Sequence, residues 1–425
     1  MHLKDSCFAL VDCNNFYVSC ERLYNPKLRN KPVIILSNND GCVVSRSNEA
    51  KSLGIKMGQP FFQIEKLCQQ KKVFVFSSNF ALYGDISHRV MKTLETYCPD
   101  MEIYSIDEAF LRLDKIVFSE ACDYAQKLRK IVLQHVGIPV SIGIAPTKTL
   151  AKVASLLAKK NHAISKDNVC DLRDSTIRNG VLAEFLVGDI WGVGRKSAEQ
   201  LQYLNITTAA QLCQQNSQFL RKRFSIVMTR IVLELQGTSC LTLEEINQKK
   251  NITCSRSFGK KITELQPLLE AISSYAARAC EKARAENTKA QSICVYIRTS
   301  PHSKTPFYSA SDAQQLLHAS NDACHIIAVA QTLLKKIYKP GFQYQKAGII
   351  LCDLRSDELF QQDLFEKNSD DNKAIMTVVD HINHRYGNQS VFLAAEGIAQ
   401  AWKIKSVLKS SGYTTAWEEL VQVVA

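Results

Sequence analysis

Residues 7–165 alternate between short apolar runs and longer stretches whose apolar positions recur every three or four residues. The first pattern suits buried strands, the second amphipathic helices. "CFALVDC", "PVIILS", "GCVVSR", "VFVFSS" and "PVSIGIA" read as strands. "NNFYVSCERLY", "SNEAKSLG", "NFALYGDISHRVMKTLETYC", "SEACDYAQKLRKIVLQHV" and "TKTLAKVASLLAKKN" read as helices. The alternation predicts an α/β domain. Strand signals thin out over 166–240, where "VGDIWGVGRKSAEQLQYL" sets a Gly-x-Gly between helical segments. Residues 241–252, "LTLEEINQKKNI", are polar and charged, as a tether would be. Over 253–355 the pattern is β-α-β-β-α-β, which predicts a four-stranded sheet with two helices on one face. From Ser356 a short linker leads into a small helical tail.

Composition narrows the class. The 425 residues are 46% hydrophobic, the content of a folded multidomain chain. No apolar run approaches the roughly 18 residues of a membrane span. Lys4 and Asp5 precede a short apolar run that Asp12 interrupts, which is not the pattern of a secretory leader. The 15 cysteines are scattered without a C-x-x-C pair, as expected of small core residues in a reducing cytosol.

Charge is unevenly distributed. Residues 1–165 carry 22 Lys and Arg against 15 Asp and Glu; residues 245–355 carry 16 against 8. The segment from 356 is acidic, with 6 against 10. Two basic blocks suit a polyanionic partner, nucleic acid first, which the acidic tail would not share.

"YSIDEAFLRL" places Asp107 and Glu108 between two apolar strands. On a continuous strand they would point to opposite faces, so only a hairpin tip brings them together. Converging carboxylates repel unless a cation separates them. Mg²⁺ is such a cation, and Asp12, directly after an apolar strand, supplies a third carboxylate. Three carboxylates on neighbouring strands could hold two Mg²⁺ ions, one activating a hydroxyl and one stabilising a leaving pyrophosphate.

Taken with "ALVDCNNFYVSCE", "GCVVSRSNEAKSLGIKMGQPFF", "VSIGIAPTKTLAKVASLLAKK" and "IWGVGRKSAEQL", the chain resembles the Y-family translesion DNA polymerases, and within them the UmuC branch, over nearly its whole length. The resemblance implies a right-hand α/β multidomain polymerase acting in the bacterial SOS response. Palm and fingers would occupy 1–165, a helical thumb 166–240, a linker 241–252, a little finger 253–355, and a UmuC-type tail 356–425. Asp12, Asp107 and Glu108 match the family's metal-binding carboxylates, and the carbonyl of Cys13 would complete the site. Tyr17 falls at the steric gate, with Phe16 beside it. Ser45, Asn48, Lys51 and Lys159 fall where the family binds the incoming deoxynucleoside triphosphate, and Arg46 lies in the same segment. Many members have Tyr and Arg where this chain has Asn48 and Lys51; Lys cannot grip two phosphate oxygens as Arg does.

The resemblance extends to DNA and to protein partners. Gly192 and Gly194 would let backbone N–H groups of a helix-hairpin-helix approach a phosphate of the primer-template. Arg256, Lys260, Lys261 and Arg298 are the little-finger candidates. Gln361, Leu364 and Phe365 resemble a peptide that docks on the sliding clamp. Trp402, Tyr413 and Trp417 would form a small core or anchor a protein. The UmuD′ dimer and RecA are the implied partners, and a cytoplasmic, nucleoid-associated location follows. Two other readings compete: a palm-type nucleotidyl cyclase, which needs neither thumb hairpin nor clamp peptide, and an inactive DNA-binding scaffold, against which the intact carboxylates count.

Overall fold

A computed structural model describes residues 6–114, 116–160, 163–244, 249–303, 305–357, 370–387, 389–398, 400, 402–403 and 406–420. The chain forms two units. The first comprises Met1–Ser37, Gly41–Ile246 and Leu408–Ala425, and the second comprises Asn38–Asp40 with Asn247–Val407.

The first unit begins with β1 (Phe8–Cys13), every residue of which is buried. Such a strand must be covered on both faces, which is why it reads as an unbroken apolar run. It is followed by α1 (Phe16–Tyr24), β2 (Val33–Leu36), β3 (Val43–Arg46), α2 (Asn48–Ser52), α3 (Phe61–Gln70), β4 (Phe74–Ser77) and α4 (Phe80–Tyr97). Then come β5 (Met101–Ile103), β6 (Glu108–Arg112), α5 (Ala121–Val136), β7 (Val140–Ala145), α6 (Lys148–Lys159) and β8 (Val169–Asp171). The main sheet has the order β5-β6-β1-β7-β8, and a smaller sheet has the order β3-β2-β4.

Period-2 alternation assigns each residue of β1 to a face. Ala9, Val11 and Cys13 join Leu82, Val90 and Leu128 of α4 and α5 in one core. Phe8 and Leu10 join Leu150, Ala151 and Ala154 of α6 in another. Helices α7 (Ser175–Glu184), α8 (Arg195–Tyr203), α9 (Ala209–Cys213), α10 (Ser217–Arg223) and α11 (Ile226–Leu235) contribute to that second core. A Cβ added at Gly143 of β7 would overlap the backbone nitrogen of Ser155 and lie 2.5 Å from the Ala151 carbonyl oxygen. The glycine therefore lets α6 settle directly onto the sheet.

The second unit contains β9 (Ile252–Ile262), α12 (Leu265–Ala285), β10 (Thr288–Thr299), β11 (Ser309–Ser320), α13 (Ala323–Ile337), β12 (Tyr344–Ser356) and α14 (Asp370–Tyr386). Its antiparallel sheet runs β11-β10-β12-β9, and α12 and α13 build the core with it. The β-α-β-β-α-β order expected from the sequence is present.

Two elements escaped the sequence pattern. Helix α3 buries only Ile64 and Cys68, leaving almost no apolar stripe. Strand β8 has three residues, too few to display alternation, yet it extends the main sheet beyond residue 165 by pairing parallel to β7.

Candidate active site

Asp12 continues the Phe8–Leu10 series and so points to the α6 side of the sheet. Its antiparallel partner on β6 is Glu108, and Phe110 pairs with Glu102 on β5. Directly opposed residues share a face, so Glu102, Glu108 and Asp12 form a row under α6. That helix answers with a row of its own. Lys148 pairs with Glu102, Lys152 with Glu108 at 2.8 Å, and Lys159 with Asp12. Positions four and eleven residues after Lys148 return to the same helical face, because eleven residues are close to three full turns. Lys148 and Lys152 escaped the sequence reading; their spacing on α6 was the available signal.

Asp12 is only 7% exposed, and its Oδ1 is buried with no hydrogen-bond partner among the described residues. Burial pushes its carboxyl up to about 7, against the pull of Lys159, with the charges of Glu108 and Asp107 adding to the rise. Asp107 sits in the turn between β5 and β6, as a hairpin tip requires. Its Oδ1 accepts a hydrogen bond from the Ser105 hydroxyl at 2.7 Å, and its carbonyl accepts one from the Cys13 N–H at 2.9 Å. The three carboxylates do not converge as the sequence reading expected. Among the described residues no group of three or more His, Cys, Asp and Glu is placed to hold a metal ion. Lys159 draws Asp12 and Lys152 draws Glu108, because lysines here supply the neutralising charge that packed carboxylates need. The donor set still suits a hard divalent cation: three carboxylates on adjoining backbone, one with an unpartnered buried oxygen.

Lys152 is held by more than Glu108. Its Nζ lies 4.0 Å from the Tyr104 ring centroid and 5.4 Å from that of Trp191. Trp191 in turn donates from Nε1 to the Tyr104 hydroxyl at 3.1 Å. The neighbouring Gly192 has φ +91°, and a Cβ there would meet Ile231 Cδ1 at 2.8 Å. This glycine is needed by the turn itself. Gly194 caps α8 at an ordinary φ of −75°, with open space where a side chain would be.

Tyr17 stacks on Tyr83 with ring centroids 4.4 Å apart and meets Phe80 edge-on at 6.1 Å. Phe16 is buried in the core behind it. Beyond α1, Lys51 Nζ donates to Asn15 Oδ1 at 2.7 Å and to Asn48 Oδ1 at 3.1 Å. Asn15, missed by the sequence reading, occupies the left-handed region at φ 46°, which Asn tolerates better than most residues. Burial holds Lys51 below the usual lysine range, and the charges of Arg46 and Lys159 lower it further. That repulsion marks a concentration of positive charge, of which Lys159 is balanced by Asp12. Arg46 donates to the Ile55 carbonyl, while Ser45 is buried on β3.

In the second unit, Arg256, Lys260, Lys261 and Arg298 are all exposed. They do not share one face. Arg256 pairs with Ala347 and Ala347 with Ile297, so Arg256 belongs to the helix-covered side. Arg298 pairs with Lys346 on the opposite, open side. Lys346 was not anticipated. Lys261 donates to Ser303 at 3.0 Å and Gln343 at 3.2 Å. Gln361, Leu364 and Phe365 lie outside the described residues. The three tail aromatics separate: Trp402 packs against Tyr275, Tyr413 stacks on Tyr24, and Trp417 is 86% exposed.

The impB/mucB/samB family model matches residues 11–156, and the model of that family's C-terminal domain matches 249–364. The chain belongs to the impB/mucB/samB family. A domain of unknown function, DUF4113, matches residues 373–423. This family member is 42% identical to Protein UmuC of Salmonella typhimurium strain LT2, covering 98% of this chain and 100% of that protein. It is 27% identical to DNA polymerase IV 1 of Bacillus subtilis strain 168, covering 90% of this chain and 91% of that one. Its fold is that of the Y-family DNA polymerase chimera Dbh-Dpo4(243-245)-Dbh. The TM-score is 0.68 at 22% identity, covering 82% of this chain and 99% of the chimera.

Proposed function

We infer that this impB/mucB/samB family member is an error-prone DNA-directed DNA polymerase that performs translesion synthesis in the SOS response of damaged bacterial cells. One juxtaposition carries the reading. The carboxylates Asp12, Asp107 and Glu108 lie in the same unit as the cationic group Arg46, Lys51 and Lys159, and Lys159 belongs to both. A nucleotidyl transfer needs those two features together.

Residues 1–165, completed by β8, serve as palm and fingers, 166–240 as thumb, 253–355 as little finger and 356–425 as tail. Asp12, Asp107, Glu108 and the Cys13 carbonyl would hold two Mg²⁺ ions. When bound, these supply Lewis-acid activation of the primer hydroxyl and neutralise the departing pyrophosphate. Lys159 and Lys51 draw the triphosphate inward and balance charge that moves toward the leaving group. Asn48 and Asn15 aim the Lys51 ammonium, while Ser45 and Phe16 shape the floor beneath the nucleotide. The Tyr17 ring, fixed by its stack on Tyr83, stands against the sugar so that a 2′-hydroxyl collides with it. Lys152 orients Glu108 from its aromatic surround.

DNA is held by backbone contacts at Gly192 and Gly194 and by the basic second unit, with Arg298 on its open face alongside Lys346, and Arg256, Lys260 and Lys261 at its periphery. Gln361, Leu364 and Phe365 engage the sliding clamp, and the UmuD′ dimer and RecA act as accessory partners in a cytoplasmic, nucleoid-associated complex. No described helix is long and apolar enough to cross a membrane.

Primer extension by Asp107→Asn tests the assignment. The amide removes one negative charge from the metal site and leaves the basic surfaces intact, so synthesis is lost while DNA binding persists. Extension within about tenfold of wild type, a change of only ~1.4 kcal/mol in barrier, would refute it.

A further inference from the structure

Residues Leu408–Leu420 belong to the same unit as the carboxylates, although some 300 residues separate them in sequence. This segment lies within the part of the chain matched by the domain of unknown function. It is tied down along its length. The Ser77 N–H donates to the Leu408 carbonyl at 3.0 Å, and the Leu408 N–H donates to the Ser77 hydroxyl at 3.0 Å. The Asn79 amide donates to the Ser411 carbonyl at 3.0 Å and the Ser410 hydroxyl oxygen at 3.1 Å. Asn79 is also the N-cap of α4 and accepts from the Leu82 N–H. Tyr413 stacks on Tyr24 of α1 at 4.6 Å, and the Thr414 hydroxyl donates to Asp85 of α4 at 2.7 Å.

The segment thus clasps α1 and α4, the two helices that carry Tyr17 and Tyr83. At the centre of the clasp lies Glu21, a carboxylate only 1% exposed. Its Oε1 accepts one hydrogen bond from the Ser410 hydroxyl at 3.0 Å and another from the Tyr83 hydroxyl at 2.7 Å. Tyr83 is the ring on which Tyr17 stacks, with an interplanar angle of 14°. A continuous path therefore runs from Ser410 through Glu21 and Tyr83 to Tyr17. A buried carboxylate needs its donors, and each donor here fixes an element. Without Ser410, Glu21 keeps one side-chain donor among the described residues, and the Tyr83 ring loses the anchored acceptor that sets its tilt.

We propose that the segment Leu408–Leu420 is a strap that positions the sugar-selecting ring, with Ser410 acting through Glu21 and Tyr83 to hold Tyr17 in place. The proposal rests on the reading of Tyr17 as the steric gate. Ser410 and Tyr413 act through the side chains they meet, Glu21 and Tyr24; they are positioning residues, and they make sugar selection sensitive to whatever engages the tail.

Single-nucleotide insertion by the full-length chain tests this, with matched ribo- and deoxyribonucleotides. Ser410→Ala should raise the ribonucleotide-to-deoxyribonucleotide insertion ratio about threefold or more, as expected for loss of one hydrogen bond. Ser410→Thr, which keeps the hydroxyl, should restore the wild-type ratio. Tyr413→Ala, which removes the strap's stack on Tyr24 of α1, should shift the ratio in the same direction. Adding Ser410→Ala to Tyr17→Ala should change nothing further, because the two act through one ring. If Tyr17→Ala shifts the ratio while Ser410→Ala and Tyr413→Ala leave it unchanged, the gate reading stands and the strap proposal falls. If Tyr17→Ala itself leaves the ratio unchanged, both fall. If Ser410→Ala lowers both insertions equally, the strap is only structural and the proposal is overturned.

Discussion

Gly143→Ala isolates the role of the α6 lysine row from the chemistry of its members. Gly143 lies on β7 beneath α6, and its added Cβ would overlap the Ser155 nitrogen. The other near atoms are the Ala151 carbonyl oxygen at 2.5 Å and the Ala154 carbonyl carbon at 2.7 Å. All three belong to helix backbone, so no side chain can swing aside. Relief requires α6 to lift by about 1–1.5 Å, since carbon packs comfortably against other heavy atoms at roughly 3.5 Å. Overpacking of this kind costs about 1–3 kcal/mol, and rigid backbone on the far side argues for the upper end. The lift carries Lys152 and Lys159 away from Glu108 and Asp12. A displacement of about 1 Å at a catalytic group can cost on the order of 10²-fold in rate. Gly84→Ala is the matched control. That glycine lies within α4 with nothing inside 4 Å of its added Cβ. Alanine there should stabilise by roughly 0.5–1 kcal/mol. Thermal unfolding should therefore move in opposite directions for the two variants, with the Gly143→Ala midpoint falling by about 5–10 °C. Primer extension should drop on the order of 10²-fold for Gly143→Ala and hold for Gly84→Ala. A Gly143→Ala protein with wild-type stability and activity would show that α6 does not rely on this close approach.

Three further outcomes test the proposed function. Tyr17→Ala should raise ribonucleotide insertion relative to deoxyribonucleotide by at least about tenfold, only ~1.4 kcal/mol of discrimination; steady-state insertion kinetics decide it, and an unchanged ratio returns Tyr17 to the role of core aromatic. DNA affinity should fall steeply with salt, with a log–log slope of about −0.9 for each duplex phosphate neutralised; fluorescence anisotropy over a salt series measures it, and a flat response means the basic surface faces something else. Replacing Leu364 and Phe365 together by Ala should remove stimulation by the sliding clamp and leave unassisted extension intact. Burying each in a clamp pocket would contribute roughly 1.5–3 kcal/mol; undiminished clamp binding would make the motif incidental.

The sequence by itself determined most of the succession of elements and named the candidates for the chemistry. Local periodicity is a property of neighbouring positions, so β1, α4, α6 and the whole of the second unit's β-α-β-β-α-β order could be read before any contact was known. Asp12, Asp107, Glu108, Tyr17 and Lys159 stood out as candidates because they sit in long, ordered motifs. Pattern failed where an element was too short or too polar to alternate, as in β8 and α3. The tertiary structure alone decided pairings across the sheet and between distant segments. Strand register puts Glu102, Glu108 and Asp12 on one face, and Gly143 lets the lysines of α6 come down on them. Sheet parity likewise separates Arg256 from Arg298, although both had read as strand-borne cations. Asn15 and Lys152 acquire meaning only from the side chains they meet. Nothing near Ser410 in the chain announces Glu21, since a hydrogen bond spanning almost 400 positions leaves no local trace; only the folded chain brings the tail to the aromatic stack.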